Sequence, residues 1–186
     1  MNTQNWSCPE ADEHGFVSFD LLREKAALLS GEQFCEAFPV PALVTVFGSA
    51  DPSQGGETFD PNDSGVQLLT VSIKSTAILR YLGKAAFITK RPGNPFAHLV
   101  SVGRSASNDI TLAVDSISKV HGYFVREDEG WSFTDHGSTN GSTLNGGKLE
   151  KGEKYPLFDG SLLQLGLEAT LEYVSPESLF ERARRG

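Results

Sequence analysis

From residue 66 onward the chain consists of short apolar runs, most of them rich in β-branched or aromatic residues. Clusters of Gly, Pro, Asn or Asp separate most of these runs, and apolar and polar positions alternate clearly in YFVR (123–126) and WSFT (131–134). Many short strands at such spacing predict an all-β fold, an antiparallel β-sandwich. The first two runs, VQLLTVSI and AILRYL, are less clear because no turn signal divides them, and a helix is an alternative there.

The pattern before residue 66 is different. Residues 18–30 predict an amphipathic helix that Ser18 or Asp20 caps and Gly31 ends. Its apolar stripe consists of Leu21, Leu22, Leu28 and Leu29. LVTVF (43–47) predicts a short strand, and residues 49–65, rich in Gly, Pro, Asp and Ser, predict a flexible linker or a long exposed loop.

These patterns divide the chain into three parts. Residues 1–65 form an acidic N-terminal extension, whose first fifteen residues are polar and are expected to be mobile. Residues 66–175 form the sandwich. Residues 176–186 form a tail that a short helix fits, with Ser175 or Pro176 opening it.

Charge and composition exclude several classes of protein. The net charge is −8, and all of it lies in residues 1–75, which carry three Lys/Arg and eleven Asp/Glu. A general nucleic-acid binder needs a basic surface, so nucleic acid is not an expected partner. No apolar run approaches the roughly 18–20 residues of a membrane span, and the first residues are not typical of a secretory signal. A cytoplasmic protein that does not bind membranes is therefore expected.

The two cysteines lack metal-ligand spacing, so no metal or other cofactor is predicted. We expect Cys35 in the core and Cys8 exposed in the N-terminal tail.

Three polar clusters fall in three separate inter-strand segments: GRS (103–105) with NDI (108–110), SKVH (118–121), and STNG (138–141) followed by NG (145–146). The third lies in DHGSTNGSTLNGG, residues 135–147, of which ten are Gly, Ser, Thr or Asn. A sandwich gathers its loops at two ends, so loops from one end can form one patch. A patch with a guanidinium, an ammonium, hydroxyls and amides suits a phosphate dianion.

In the order and spacing of VGRSASNDI, SKVH followed by YF, and DHGSTNGSTLNG, the sequence resembles the forkhead-associated (FHA) domain over residues 76–174. The resemblance implies a sandwich of about eleven strands that binds phosphothreonine peptides through loops at one end. It also implies an adaptor that binds a threonine-phosphorylated protein, a Ser/Thr kinase or its substrate, in kinase signalling.

The resemblance implies two groups of site residues. Arg104 would clamp the phosphate, Ser118 and Thr139 would contact it, Lys119 would touch phosphate or peptide, and Asn140 would hold the peptide main chain. Gly103, His121 and Gly141 would support the site, with His121 bracing the binding loop and Gly141 allowing a tight turn. The family loop usually reads Asn-Gly-Thr, whereas residues 140–142 here read Asn-Gly-Ser.

Other functions fit the sequence less well. Ser118 and His121 could suggest a nucleophile and base, but residues three apart on a strand face opposite sides, and no G-x-S-x-G elbow is present. The chain is therefore not expected to be an enzyme. The alternative is a phosphate-independent scaffold that binds partners through the N-terminal extension, with the helix at 18–30 docking in a partner groove.

One candidate modification site is Thr58, in the acidic linker segment GGETFDPND. Some FHA proteins carry a phosphorylatable threonine in an N-terminal extension. If Thr58 is phosphorylated, a flexible tether would hold it near the site at an effective concentration of order millimolar, where it would compete with partners.

Overall fold

The computed structural model describes residues 6–46, 76–91 and 98–185. Within them lie three α-helices and one 3₁₀ helix: α1 (Phe19–Leu28), α2 (Gly31–Ala37), α3 (Pro176–Arg185) and the 3₁₀ helix Thr76–Tyr81. Twelve strands follow in chain order: β1 (Phe16–Ser18), β2 (Ala42–Val46), β3 (Lys84–Phe87), β4 (Val100–Gly103), β5 (Ile110–Thr111), β6 (Gly122–Glu127), β7 (Gly130–Asp135), β8 (Ser142–Leu144), β9 (Gly147–Lys148), β10 (Lys154–Leu157), β11 (Leu162–Leu165) and β12 (Ala169–Val174).

The strands form two sheets, which confirms the predicted β-sandwich. The larger sheet has the order β1-β3-β2-β12-β11-β8-β9, and the smaller has the order β10-β7-β6-β4-β5. Every described pair is antiparallel except β4 with β5. Of the two runs for which a helix was the alternative, AILRYL lies mostly in the 3₁₀ helix, and VQLLTVSI lies outside the described residues.

The alternation seen in the sequence places one face of β6 and β7 in the core. Phe124 and Phe133 stand opposite each other on these strands, with ring centroids 5.1 Å apart, and both are fully buried. They pack with apolar residues of the larger sheet such as Leu163 and Leu171. Burial of apolar side chains between two sheets is the main source of stability in such a fold.

The described part of the N-terminal extension belongs to this sandwich. β1 pairs with β3, and β2 lies between β3 and β12 in the larger sheet. The predicted strand at 43–47 is thus present as β2, but residues 16–46 do not stand apart from the sandwich. The boundary predicted at 65/66, the linker 49–65 and Thr58 lie outside the described residues.

The predicted helix at 18–30 is present as α1, and a second helix, α2, begins three residues after α1 ends. Ser18 caps α1 by accepting from the Leu21 N–H, as expected, but α1 ends at Leu28. Gly31, predicted as the end of the helix, is instead the first residue of α2, where the hydroxyl of Ser30 accepts from the Gln33 N–H in a capping box. Glycine after an apolar run commonly ends a helix, but a serine just before it can equally begin one.

The N- and C-terminal helices share a second core. α1 buries Leu22 and Ala26, α2 buries Phe34, and α3 buries Leu179 and Phe180 among them. The apolar stripe predicted for the helix at 18–30 was wrong at Leu28, which is 74% exposed. Because the apolar face of α1 packs against its own protein, this face is not free to occupy a partner groove.

The N-terminal residues also pack here. Trp6 makes edge-to-face contacts with Phe38 and Phe87, with ring centroids 6.3 and 5.2 Å apart. Cys8 is buried in the same core and Cys35 is only partly buried, so the prediction for the two cysteines was reversed. Within the segment predicted to be a mobile tail, Trp6, Cys8 and Ala11 thus pack in this core. No helix in the described parts of the chain is long and apolar enough to cross a membrane.

Candidate functional site

Loops that leave one end of the sandwich are joined by hydrogen bonds. Two backbone hydrogen bonds join the β4–β5 loop to the β5–β6 loop. The backbone N–H of Arg104 donates to the Ser118 carbonyl at 2.9 Å, and the backbone N–H of Ser105 donates to the Lys119 carbonyl at 3.1 Å. The β7–β8 loop is joined in turn, because the Thr139 N–H donates to the Ser118 hydroxyl at 3.0 Å. The three predicted clusters therefore converge on Ser118.

The side chains at the surface of these loops carry donors. Arg104, Lys119, Thr139 and Asn140 are exposed, and Ser118 is partly buried between them. The Arg104 guanidinium lies 3.3 Å from the carboxylate of Asp115, which is fully exposed. Such a pair contributes little to stability and can be replaced by another anion. The patch thus joins two cations with hydroxyl and amide groups.

The side chain of Asn140 is oriented by a contact with the β5–β6 loop. Its Nδ2 donates to the carbonyl oxygen of Ser116 at 2.7 Å. The turn between β11 and β12 packs against the same residue, because a Cβ on Gly166 would lie 2.4 Å from the Ser116 carbonyl oxygen. The Gly166 N–H also donates to the Gly141 carbonyl at 3.0 Å. A fourth loop therefore supports the position of Asn140.

His121 lies fully buried beneath these loops. Its Nδ1 accepts from the Ser118 backbone N–H at 3.2 Å, and its Nε2 lies 3.1 Å from the Ser142 hydroxyl. Because Nδ1 accepts, the proton belongs on Nε2, which donates to Ser142. The Ser142 hydroxyl then donates to the Asp135 carboxylate at 2.6 Å. One chain of hydrogen bonds thus connects the Ser118 loop with Asp135.

Asp135 is the buried end of this chain. It also accepts from the Ser138 N–H at 2.7 Å and from the Ser138 hydroxyl at 2.6 Å. Burial by itself would raise the pKa of this carboxyl, but the hydrogen bonds from Ser138 and Ser142 outweigh it and hold the pKa below its ordinary value. Burial lowers the pKa of His121, although the Asp135 charge acts in the opposite direction. At neutral pH the pair is a neutral imidazole and a carboxylate.

Two glycines serve the loops in different ways. A Cβ on Gly103 would lie 2.5 Å from the Lys119 carbonyl oxygen and 2.9 Å from the Asn108 side-chain nitrogen, so glycine permits the approach of the two loops. Gly141 has φ +78°, in the left-handed region that a tight turn after Asn140 uses.

The geometry does not suit nucleophilic catalysis by Ser118. His121 accepts from the backbone N–H of Ser118, whereas the Ser118 hydroxyl lies near Thr139, 3.4 Å from its Oγ1. Among the described residues there is also no group of three or more His, Cys, Asp or Glu side chains that could hold a metal ion. What the site offers is a set of donors for an anion.

Sequence reasoning missed several residues that shape the site: Asp115, Ser116, Asp135, Ser142 and Gly166. A local signal existed for Asp135, because an Asp three residues before a Ser is typical of a side chain that accepts from the loop backbone. Ser116 and Gly166 had no such signal, since their contact joins positions fifty residues apart.

Comparison with known protein families places this site in context. Residues 100–166, which include all three loops, match the family model of the FHA domain. The chain contains an FHA domain. A comparison with curated proteins gives no match.

Several solved FHA structures are similar to the chain. The FHA domain of an Arabidopsis thaliana hypothetical protein is 21% identical, with 73% of this chain and 85% of that chain covered and a TM-score of 0.48. Mycobacterium tuberculosis EmbR, in complex with a low-affinity phosphopeptide, is 15% identical, with 73% and 24% covered and a TM-score of 0.46. The MEK1 FHA domain, in complex with a HOP1 phosphothreonine peptide, is 26% identical, with 49% and 87% covered and a TM-score of 0.39. The match thus spans about a quarter of the EmbR chain.

Proposed function

We propose that this chain binds threonine-phosphorylated peptides at the loop end of its FHA domain. The observation that carries the proposal is the convergence of Arg104, Ser118 and Thr139 from three loops, held by hydrogen bonds of 2.9 and 3.0 Å. An FHA domain is a binding module, and the donors at this end suit an anion.

Each exposed residue has a role in this proposal. Arg104 leaves Asp115 and pairs with phosphate oxygens, because a dianion attracts a guanidinium more strongly than an exposed carboxylate does. Ser118 and Thr139 supply hydroxyls, and Lys119 supplies a second positive charge. Asn140, oriented by Ser116, hydrogen-bonds the peptide main chain.

The supporting residues act through these groups. In the proposal, His121 braces the Ser118 loop from beneath, Gly103 permits the close approach of two loops, and Gly141 permits the turn after Asn140. The biological role we infer is that of a cytoplasmic adaptor in Ser/Thr-kinase signalling, with a phosphorylated kinase or kinase substrate as partner. Phosphorylation of Thr58 remains a prediction.

The experiment is a calorimetric titration of the full chain with a phosphothreonine peptide and with its unphosphorylated twin. We expect saturable binding of the first and none of the second. Equal binding of the two peptides would contradict the proposal, because the proposed contacts of Arg104, Ser118 and Thr139 are all with the phosphate. Loss of binding after inorganic phosphate is added in excess would locate the interaction at the anion site.

A further inference from the structure

The β4–β5 loop, residues 104–109, carries Arg104 and is held from two sides. On its inner side, the Asn108 side-chain nitrogen donates to the carbonyls of Ser105 and Lys119 at 2.8 and 2.7 Å. On its outer side, Nη1 of Arg91 contacts the carbonyls of Ala106 at 3.3 Å and Asn108 at 3.2 Å. One guanidinium from outside the three site loops therefore bridges two carbonyls of this loop.

Arg91 is itself anchored at two points. Its backbone N–H donates to Asp109 Oδ1 at 2.9 Å, and Asp109 is buried and paired with Lys90 at 3.0 Å. Its Nη2 donates to the backbone carbonyl of Glu13 at 2.8 Å. Arg91 therefore joins the N-terminal segment, which we define as residues 6–18, to the loop that carries Arg104.

The N-terminal segment also contacts the end of this loop directly. The Thr111 N–H in β5 donates to the His14 carbonyl at 3.1 Å. Gly15, with φ +88°, approaches so closely that a Cβ there would lie 3.1 Å from the Asp109 carbonyl oxygen. β1 is the edge strand of the larger sheet, where it pairs with β3, and β5 is the edge strand of the smaller sheet. The N-terminal segment therefore connects one edge of each sheet.

We propose that Arg91 is a positioning residue for the phosphate site, which couples the N-terminal segment to the Arg104 loop. The inference rests on the proposed function. A guanidinium has donors in a fixed planar fork, so it can hold three carbonyls in one arrangement, which a lysine cannot do. A loop ordered before binding loses less entropy when the ligand arrives. Displacing the N-terminal segment from Arg91 therefore weakens peptide binding without removing a ligand contact.

The test compares Arg91→Met with the wild-type full chain in two measurements. Methionine keeps an unbranched stem but has no donors. In calorimetry with the phosphothreonine peptide, we expect about tenfold weaker binding, within the usual range of coupling between two sites. In hydrogen exchange of the free protein, we expect faster exchange at the backbone N–H of Asn108, which donates to the Ser105 carbonyl. Exchange in β6 and β7 should be unchanged.

Two controls separate the contact from charge and side-chain effects. Arg23→Met removes an exposed arginine that pairs with Asp20 on α1, and it should change neither measurement. Glu13→Ala should also behave as wild type, because Arg91 contacts the backbone carbonyl of Glu13 and not its carboxylate.

The outcomes distinguish this inference from the proposed function. Wild-type affinity in a folded Arg91→Met protein overturns the positioning role, while binding by the wild type upholds the proposed function. If the wild type does not bind the peptide, the proposed function fails, and hydrogen exchange still decides the coupling. Unchanged exchange at Asn108 in Arg91→Met overturns the coupling, and faster exchange confined to the β4–β5 loop supports the coupling.

Discussion

The site consists of two layers that are held together in different ways. The outer layer consists of Arg104, Lys119, Thr139 and Asn140. The Arg104 side chain is 42% exposed and pairs with the fully exposed carboxylate of Asp115. In the inner layer, His121, Asp135, Ser138 and Ser142, every side chain is buried, and Asp135 accepts three hydrogen bonds. Exposed ion pairs contribute little to folding, whereas unpaired buried polar groups cost about 1–3 kcal/mol each. Changes in the outer layer should therefore alter affinity, and changes in the inner layer should alter stability first.

The largest expected effect is on affinity, from Arg104→Ala. Losing a bidentate contact to a dianion, at about 1.5–3 kcal/mol per charged hydrogen bond, should weaken phosphopeptide binding by about 100-fold or more. The melting temperature should stay close to the wild-type value because the side chain pairs only with a fully exposed carboxylate, and such pairs contribute little to stability. Calorimetry and thermal denaturation measure the two effects, with Arg23→Ala as the matched exposed control. Wild-type affinity in Arg104→Ala would remove Arg104 from the site.

His121→Ala should show the opposite pattern. It leaves the Ser118 N–H and the Ser142 hydroxyl without their imidazole partner, so the free energy of unfolding should fall by about 1–3 kcal/mol. Binding should weaken only indirectly, as the Ser118 loop loosens. Chemical denaturation measures the stability, and calorimetry far below the melting temperature measures the affinity. Wild-type melting with abolished binding would instead make His121 a direct ligand contact.

The residues of the site and the contacts between them differ in how far the sequence indicates them. Arg104, Ser118, Thr139 and Asn140 stand in three short motifs whose order and spacing indicate the FHA domain, and the family match includes all of them. The Asp115 contact with Arg104 and the Asp135 contact with Ser142 were not predicted, because they depend on how the loops fold against each other.

The same difference holds for the fold. Alternation in residues 123–126 and 131–134 predicts strands because successive side chains of a strand point to opposite faces of the sheet. It does not tell which strands pair, and β2 pairs with β12, more than 120 residues away. Cys8 is likewise buried in a cluster with Phe34, Phe38 and Phe87, residues that come together only in the folded chain.

A smaller effect is expected from pH, and it tests the inner layer alone. Burial lowers the pKa of His121 from its ordinary value of 6.5, so as pH falls the unfolded chain takes up the proton before the folded chain does. The free energy of unfolding should therefore decrease as pH drops from 6.5 toward the lowered value, by at most about 1.4 kcal/mol per pH unit. The effect of Asp135, whose pKa is also lowered, should begin only near its ordinary value of 3.8.

Denaturation of the wild type and of His121→Gln at about pH 7.5 and about pH 5.5 isolates this contribution, since histidine titrates in that range. The variant should lose less stability between the two conditions than the wild type does. An identical loss in both proteins would mean that another group causes the acid sensitivity.

The smallest expected effect concerns the outer layer and has the opposite sign to that of Arg104→Ala. Asp115→Asn removes the carboxylate that lies 3.3 Å from the Arg104 guanidinium. In the free protein this carboxylate competes with a phosphate for Arg104, and it repels the phosphate when both are present. Because the pair is exposed, its strength is about 0.2–1 kcal/mol, so affinity should rise by a factor between about 1.4 and about 5, most clearly at low salt. Asp128→Asn, in the exposed turn between β6 and β7, is the matched control, since it removes the same charge at the other end of β6. A gain in affinity common to both variants would reflect net charge, whereas a gain confined to Asp115→Asn would show that Arg104 exchanges one anion for another when the peptide binds.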